Sequence, residues 1–135
     1  MLKSKLLFPA EGISVDQFTN NASAFNIIEQ LNFQSLPVVF PKLVVLTLME
    51  REASDPQEFG ANLTIVLAGN EIAKIALEFK FQNSLRHRNI VTLGGLPITQ
   101  PGIMEIFITV NGEKIVSYSI EVTVPKGINT EKIVK

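Results

Sequence analysis

Arg86, His87 and Arg88 are consecutive, with Asn83, Ser84 and Asn89 around them. Two guanidiniums can clamp an oxyanion through paired, charge-assisted hydrogen bonds. The triplet is therefore the candidate ligand-binding site, for an anion or phosphate group. A solvated loop between strands accounts for the same residues and is the simpler reading. His87 is the only histidine, which rules out a multi-histidine metal site within one chain, and no Ser-His-Asp arrangement stands out. Glu50, Glu52, Asp55 and Glu58 crowd one apparent loop. Calcium needs six to eight oxygens, but this spacing fits no calcium loop, and Arg51 sits inside it. The loop is expected to keep the neighbouring apolar strand soluble. Glu11, Asp16 and Glu105 are conceivable partners for glycoside hydrolysis, yet nothing places any two of them together. These residues predict no catalytic group, no metal, no cofactor and no enzymatic activity.

The aromatic inventory points the same way. Sugar-binding domains stack their ligands on exposed Trp and Tyr. Here Trp is absent and the single tyrosine, Tyr118, is expected to face the core. Most of the nine phenylalanines are read as core as well. Phe18 and Phe33 lie in loop-like surroundings and are the two to inspect for exposure.

Positioning any such residues falls to a chain of 135 residues, enough for one domain with a sizeable core. There is no cysteine, so neither disulfides nor thiolate sites contribute. A net charge of -1 gives no field that would draw the protein to nucleic acid or anionic lipid. Charged residues are 19% and mean hydropathy is +0.26, a balance that suggests apolar surface covered by a partner or a second copy. A thick two-layer core with uncharged loops explains it equally. The opening Met1-Leu2-Lys3-Ser4-Lys5-Leu6-Leu7-Phe8-Pro9 imitates a signal peptide, but its apolar run breaks at Pro9. No stretch approaches the length of a membrane span, and the expected location is cytoplasmic.

The clearest strands lie near the end. Met104, Ile106, Ile108 and Val110 alternate with polar or aromatic neighbours, and after Asn111-Gly112 so do Val116, Tyr118, Ile120, Val122 and Val124. A two-residue turn would pair Ile106 with Ser117 and put the two stripes on opposite faces. A three-residue loop, Val110-Asn111-Gly112, pairs Ile106 with Val116 and unites them, with Gly112 in the left-handed conformation. Leu63, Ile65 and Leu67 face Ala73, Ile75, Leu77, Phe79 and Phe81 across Gly69-Asn70 and need an odd-length connection for the same reason. A helix over Glu71–Phe81 is the rival, but the apolar spacing is two. Leu43–Met49 reads as a central strand covered on both faces, and Ile90–Leu93 as a short strand ending at Gly94-Gly95. Leu6–Val15 is a weaker strand. Ser23–Leu31 reads as a strand after an Asn20-Asn21 turn, with a capped helix as the alternative.

The run Ser23-Ala24-Phe25-Asn26-Ile27-Ile28, then Leu36-Pro37 and Pro41-Lys42-Leu43-Val44-Val45, then Pro101-Gly102-Ile103-Met104-Glu105-Ile106 and Val110-Asn111-Gly112, resembles a family of small uncharacterised bacterial proteins, a domain of unknown function. The Pro-Gly before an alternating strand is similar to the penultimate strand of immunoglobulin-like sandwiches, although Met104 stands where such families often place an aromatic. The resemblance implies a fold and no catalytic residues.

The expected fold is thus an all-β, two-sheet antiparallel β-sandwich, immunoglobulin-like, of about seven or eight strands. One domain is expected over residues 1–124, with a loose tail over 125–135. The expected function is a non-enzymatic interaction or structural module binding a protein partner or its own copy as a homodimer, with no nucleic acid and no membrane. The alternative is a small-ligand or anion-binding domain anchored on Arg86, His87 and Arg88.

Overall fold

The computed structural model describes residues 2–125. Within them the chain is all-β: β1 (Lys3–Val15), β2 (Ala22–Ile27), β3 (Gln30–Asn32), β4 (Val38–Glu50), β5 (Glu58–Leu67), β6 (Asn70–Lys80), β7 (Arg86–Ile98), β8 (Gly102–Val110) and β9 (Glu113–Thr123). They form two sheets, one ordered β2-β1-β4-β7 and the other β3-β9-β8-β5-β6. Pairing is antiparallel except for β3 on β9, which is parallel and departs from the all-antiparallel expectation. The two sheets share one core, built from Leu43, Val45, Met49, Ile98, Leu63, Ile65, Phe79, Met104, Ile106 and Ile120 among others. The tail expected over 125–135 lies, beyond Pro125, outside the described residues.

Nine strands replace the expected seven or eight because Ser23–Leu31 is two strands. Neither is helical. The break falls at Ile28-Glu29, just after Asn26, which adopts φ 52° inside β2, a left-handed conformation that asparagine tolerates better than most residues. β2 then stays with the first sheet while β3 crosses to the second. The N-terminal run that imitates a signal peptide is the body of β1, and no helix among the described residues is long and apolar enough to cross a membrane.

The expected loop Val110-Asn111-Gly112 is not what forms. Val110 pairs with Glu113, leaving a two-residue turn with Asn111 at φ 54° and Gly112 at φ 78°. Two successive positive φ values match the twist of the flanking strands, which is why Asn-Gly suits this turn. The apolar stripes still share a face, because the register shifts by one between Ile108 and Thr109 and leaves Ile115 as the extra residue of β9. Ile106 therefore faces Tyr118, not Val116. The β5–β6 hairpin repeats the device: Ala68-Gly69 is a two-residue turn, and a shift between Ile65 and Val66 leaves Ile72 extra. In both hairpins the parity correction sits in the returning strand, three residues past the glycine, and not in the connection.

β4 is the central strand of its sheet, as its unbroken apolar run predicts. Leu43, Val45 and Met49 enter the shared core, while Val44 and Leu46 on the opposite face are 3% and 4% exposed. β7 does not stop at Gly94-Gly95. It continues to Ile98, and the glycine pair, with Gly95 at φ 67°, lies opposite Pro41-Lys42. There both strands turn over together. Odd-numbered Leu43 and Leu93 face the core before this point, and even-numbered Phe40, Leu96 and Ile98 after it.

Candidate functional site

The structure sets Arg86, His87 and Arg88 on β7, not on a loop, so alternation sends His87 to one face and both arginines to the other. His87 lies over the edge of the core, its ring 6.1 Å from that of Phe79 and 5.8 Å from that of Phe81. Its Nε2 is 3.1 Å from Asn89 Oδ1, and the Asn89 amide donates to the Glu78 carbonyl of β6. Arg86 Nε donates to Glu50 Oε2 at 3.1 Å, and that bond first, with Lys5 nearby, holds the Glu50 carboxyl below its ordinary range. Arg88 donates from both terminal nitrogens to Asn20, at 3.0 Å to the backbone oxygen and 3.2 Å to Oδ1. All three residues line one open groove with Lys80, Ser84 and Asn89, but they do not converge as a clamp.

The Arg88–Asn20 contact has a larger meaning. β2 and β7 are opposite ends of their sheet, yet the β1–β2 turn reaches β7. The sheet is therefore curled toward the face that carries Arg88, away from the core. The floor of the curl is apolar. Phe8 pairs with Leu46, which pairs with Ile90, and Ala10 lies between Val44 and Ile27. Ala10, Val44 and Leu46 are buried, whereas Leu6, Phe25, Ile27 and Ile90 stand exposed around them, Phe25 at 57%. The outer face of the five-stranded sheet contrasts with it. Asn62, Thr64, Lys74, Glu78, Glu105, Ser117 and Ser119 occupy most of it, Ile103 beside Glu121 is its one exposed large aliphatic among the described residues, and its partly covered aromatic, Phe107, lies under Lys114 Nζ at 4.3 Å. Glu105 accepts from Ser117 and Lys114, which hold its carboxyl below the usual range.

The turn at the tip of the curl is well braced. Asp16 Oδ1 accepts from the backbone amides of Phe18 and Thr19, and these bonds, Thr19 first, lower its pKa. Phe18 projects from this turn at 88% exposure, as its surroundings suggested. Phe33 does not: it is half-buried, with its ring edge-on to Phe40. Tyr118 faces the core as expected, and its hydroxyl donates to the Ile28 carbonyl.

The acidic loop is organised by a cation of its own. Arg51 is buried, and its guanidinium donates to the carbonyls of Ser84, Glu52 and Asp55 and lies 5.6 Å from the centre of the Phe81 ring. Glu50 and Glu58 end their strands on either side. Among the described residues no three histidine or carboxylate side chains are placed to hold a metal ion. Glu11, Asp16 and Glu105 fall on β1, the β1–β2 turn and β8, with Glu105 already paired.

The curled apolar face was not legible as a site in the sequence. Its residues read as core, and only the low charge and high hydropathy hinted at covered surface.

Residues 5–123 match the model of a Family of unknown function (DUF6941). No curated protein matches the chain in sequence. Among solved structures, the chain is similar to part of the Pseudomonas fluorescens alkylpurine DNA glycosylase AlkC bound to DNA containing an abasic site analog, at 15% identity and a TM-score of 0.53, over 91% of this chain and 30% of that one. A β-glucosidase from Listeria innocua in complex with isofagomine aligns at 11% identity and a TM-score of 0.48, over 89% of this chain and 16% of that one. The chain thus spans less than a third of either protein. At 15% identity the likeness to the glycosylase concerns the fold alone.

Proposed function

We propose that this chain, which belongs to the Family of unknown function (DUF6941), is a non-enzymatic protein-interaction module of immunoglobulin-like sandwich type in a bacterial, cytoplasmic protein. The observation that carries the reading is the asymmetry of the two outer faces. One sheet turns mostly polar residues outward, with Ile103 a lone exposed aliphatic among them; the other turns outward a curled apolar surface with Leu6, Phe25, Ile27 and Ile90 clustered on it. Those four side chains expose on the order of 300–400 Å², comparable to the largest apolar patch of a typical monomer, which is often a functional surface. Topology supports the immunoglobulin-like assignment. β1-β4-β7 follow the A-B-E strand order of that fold, and β9-β8-β5-β6 follow G-F-C-C′. The bacterial origin rests on the sequence resemblance.

The test is photo-crosslinking in the cell that makes the protein. Benzoylphenylalanine at Phe25 is expected to give one or two discrete adducts, and the same probe at Ser119 on the polar face none. Equal labelling from both positions, or none from Phe25, contradicts the reading. The anion-binding alternative draws support from one observation: Arg88, whose partner among the described residues is the neutral Asn20, shares a groove with Lys80 and Arg86 in which Glu78 is the one carboxylate lining it. Isothermal titration with inorganic phosphate, compared between the wild type and Arg88→Gln, tests it; equal heats from both remove it.

A further inference from the structure

The apolar trough has two lips, and both are strand edges. β2 forms one and β7 the other, and among the described residues neither carries a backbone ladder on its outer side. An unpaired edge exposes a row of N–H and C=O groups that another extended chain satisfies. Proteins guard such edges with charge. The corresponding edge of the second sheet is guarded: β6 carries Lys74, Glu78 and Lys80. The lips of the trough are guarded only at one end. β2 reads Ala-Ser-Ala-Phe-Asn-Ile, and β7 carries Arg86 and Arg88 at its start but no charged residue from Asn89 to Leu96. The curvature brings these two edges toward one another over Val44 and Leu46.

On these observations we propose that the trough between β2 and β7 receives an extended segment of a partner protein, a β-strand with apolar side chains at alternate positions and an acidic residue at the end nearest Arg88. The proposal rests on the interaction-module reading and deepens it by naming the partner's chemistry. Two features set the occupant. A concave face cannot be filled by the same concave face of a second copy, whereas a single strand fits a trough. A small apolar molecule or an acyl chain would cover Phe25, Ile27 and Ile90 but leave the edge amides and carbonyls unpaired. An inserted strand does both at once: alternate side chains cover the exposed rim of Phe25, Ile27 and Ile90, and its backbone pairs with a lip. Charge sets the end. Arg88, where the β1–β2 turn meets β7, donates among the described residues to the neutral oxygens of Asn20, and with Lys80 and Arg86 it outnumbers the carboxylate of Glu78 in the groove there, which favours an acidic end.

The experiment is a displayed library of nine-residue peptides with apolar residues at alternate positions and all residues between them, selected against the full chain. Selection is expected to enrich binders with Asp or Glu at one end, and enrichment is expected to vanish against Ile90→Lys. Backbone N-methylation of a selected peptide at alternate residues removes donors while keeping every side chain. It is expected to weaken binding about fivefold per lost hydrogen bond, and amide exchange in β2 or β7 is expected to slow when the unmethylated peptide binds. Binding insensitive to N-methylation overturns strand insertion while leaving an apolar docking face. No enrichment, alongside persistent adducts from Phe25, overturns it in favour of a partner of another shape. Enrichment seen only after residues 126–135 are deleted overturns it in favour of the chain's own end as occupant. Loss of the Phe25 adducts themselves would instead strike the broader reading.

Discussion

Thr47 sits in the middle of β4, fully buried on the core side, between Leu7 of β1 and Asn89 of β7. Its Oγ1 has no hydrogen-bond partner among the described residues. A buried hydroxyl without a partner costs about 1–3 kcal/mol. Valine has the same branched shape with a methyl in place of the hydroxyl, so Thr47→Val removes that penalty and adds one buried methyl, worth about 0.8 kcal/mol. Allowing for partial relaxation in the wild type, the variant is predicted to be more stable by about 1–2 kcal/mol. For a domain of this size that raises the Tm by roughly 3–10 °C. Urea unfolding is the direct assay: the midpoint should rise by about 0.5–1 M with an unchanged slope. Thr47→Ser keeps the hydroxyl and loses the methyl, and should be destabilising by about 1 kcal/mol. If valine destabilises as much as serine does, the hydroxyl is satisfied and the reasoning is refuted. Because Thr47 points away from the trough, the valine variant should leave Phe25 crosslinking unchanged.

Arg51→Met deletes three charge-assisted bonds to carbonyls that hold the 51–57 loop against Ser84, and should cost about 2–3 kcal/mol in urea unfolding; a loss below about 0.5 kcal/mol would show the loop to be held otherwise. Tyr118→Phe removes the 3.0 Å bond to the Ile28 carbonyl and should cost about 1 kcal/mol with no change in fold by circular dichroism. Acid sensitivity should include a contribution from Glu105, whose carboxyl is lowered by Ser117 and then Lys114. Its folded pKa lies below the unfolded value of about 4.3, so its stabilisation is present above that pH and is lost as pH falls through the folded pKa. Urea midpoints measured from about pH 6 down to about pH 3 should decline less steeply for Glu105→Gln than for the wild type; parallel declines would exclude this contribution.

The fold was legible where side-chain period did the specifying. Alternation alone located β5, β6, β8 and β9, and the unbroken Leu43–Met49 run located the doubly covered centre of β4. It could not locate the parity corrections, since a bulge at Ile72 or Ile115 leaves the same residue pattern as an odd-length loop. Nor could it show that the run divides at Ile28-Glu29 into two strands on different sheets, because those residues carry no turn signal of their own. Arg86, His87 and Arg88 illustrate the limit for sites. Their types suggested a clamp, but strand alternation splits them across two faces, and Glu50 and Asn20 engage the arginines from positions 36 and 68 residues away. The apolar trough was hidden for the opposite reason: Ala10, Val44, Leu46 and Ile90 look like core in sequence, and only three-dimensional curvature separates them from it.

On the proposed reading, the exposed rim of the curled apolar face serves binding, while its buried floor serves the fold. The double variant Phe25→Ser, Ile90→Thr tests it most directly, because both side chains lie on the exposed rim and neither belongs to the shared core. The predicted result is a Tm within about 2 °C of wild type, as expected for exposed positions, together with loss of at least nine-tenths of the crosslinked adduct read from a probe at Ile27. Unaltered adduct, or a domain that unfolds when the rim is made polar, would contradict the account and assign that face to the fold itself.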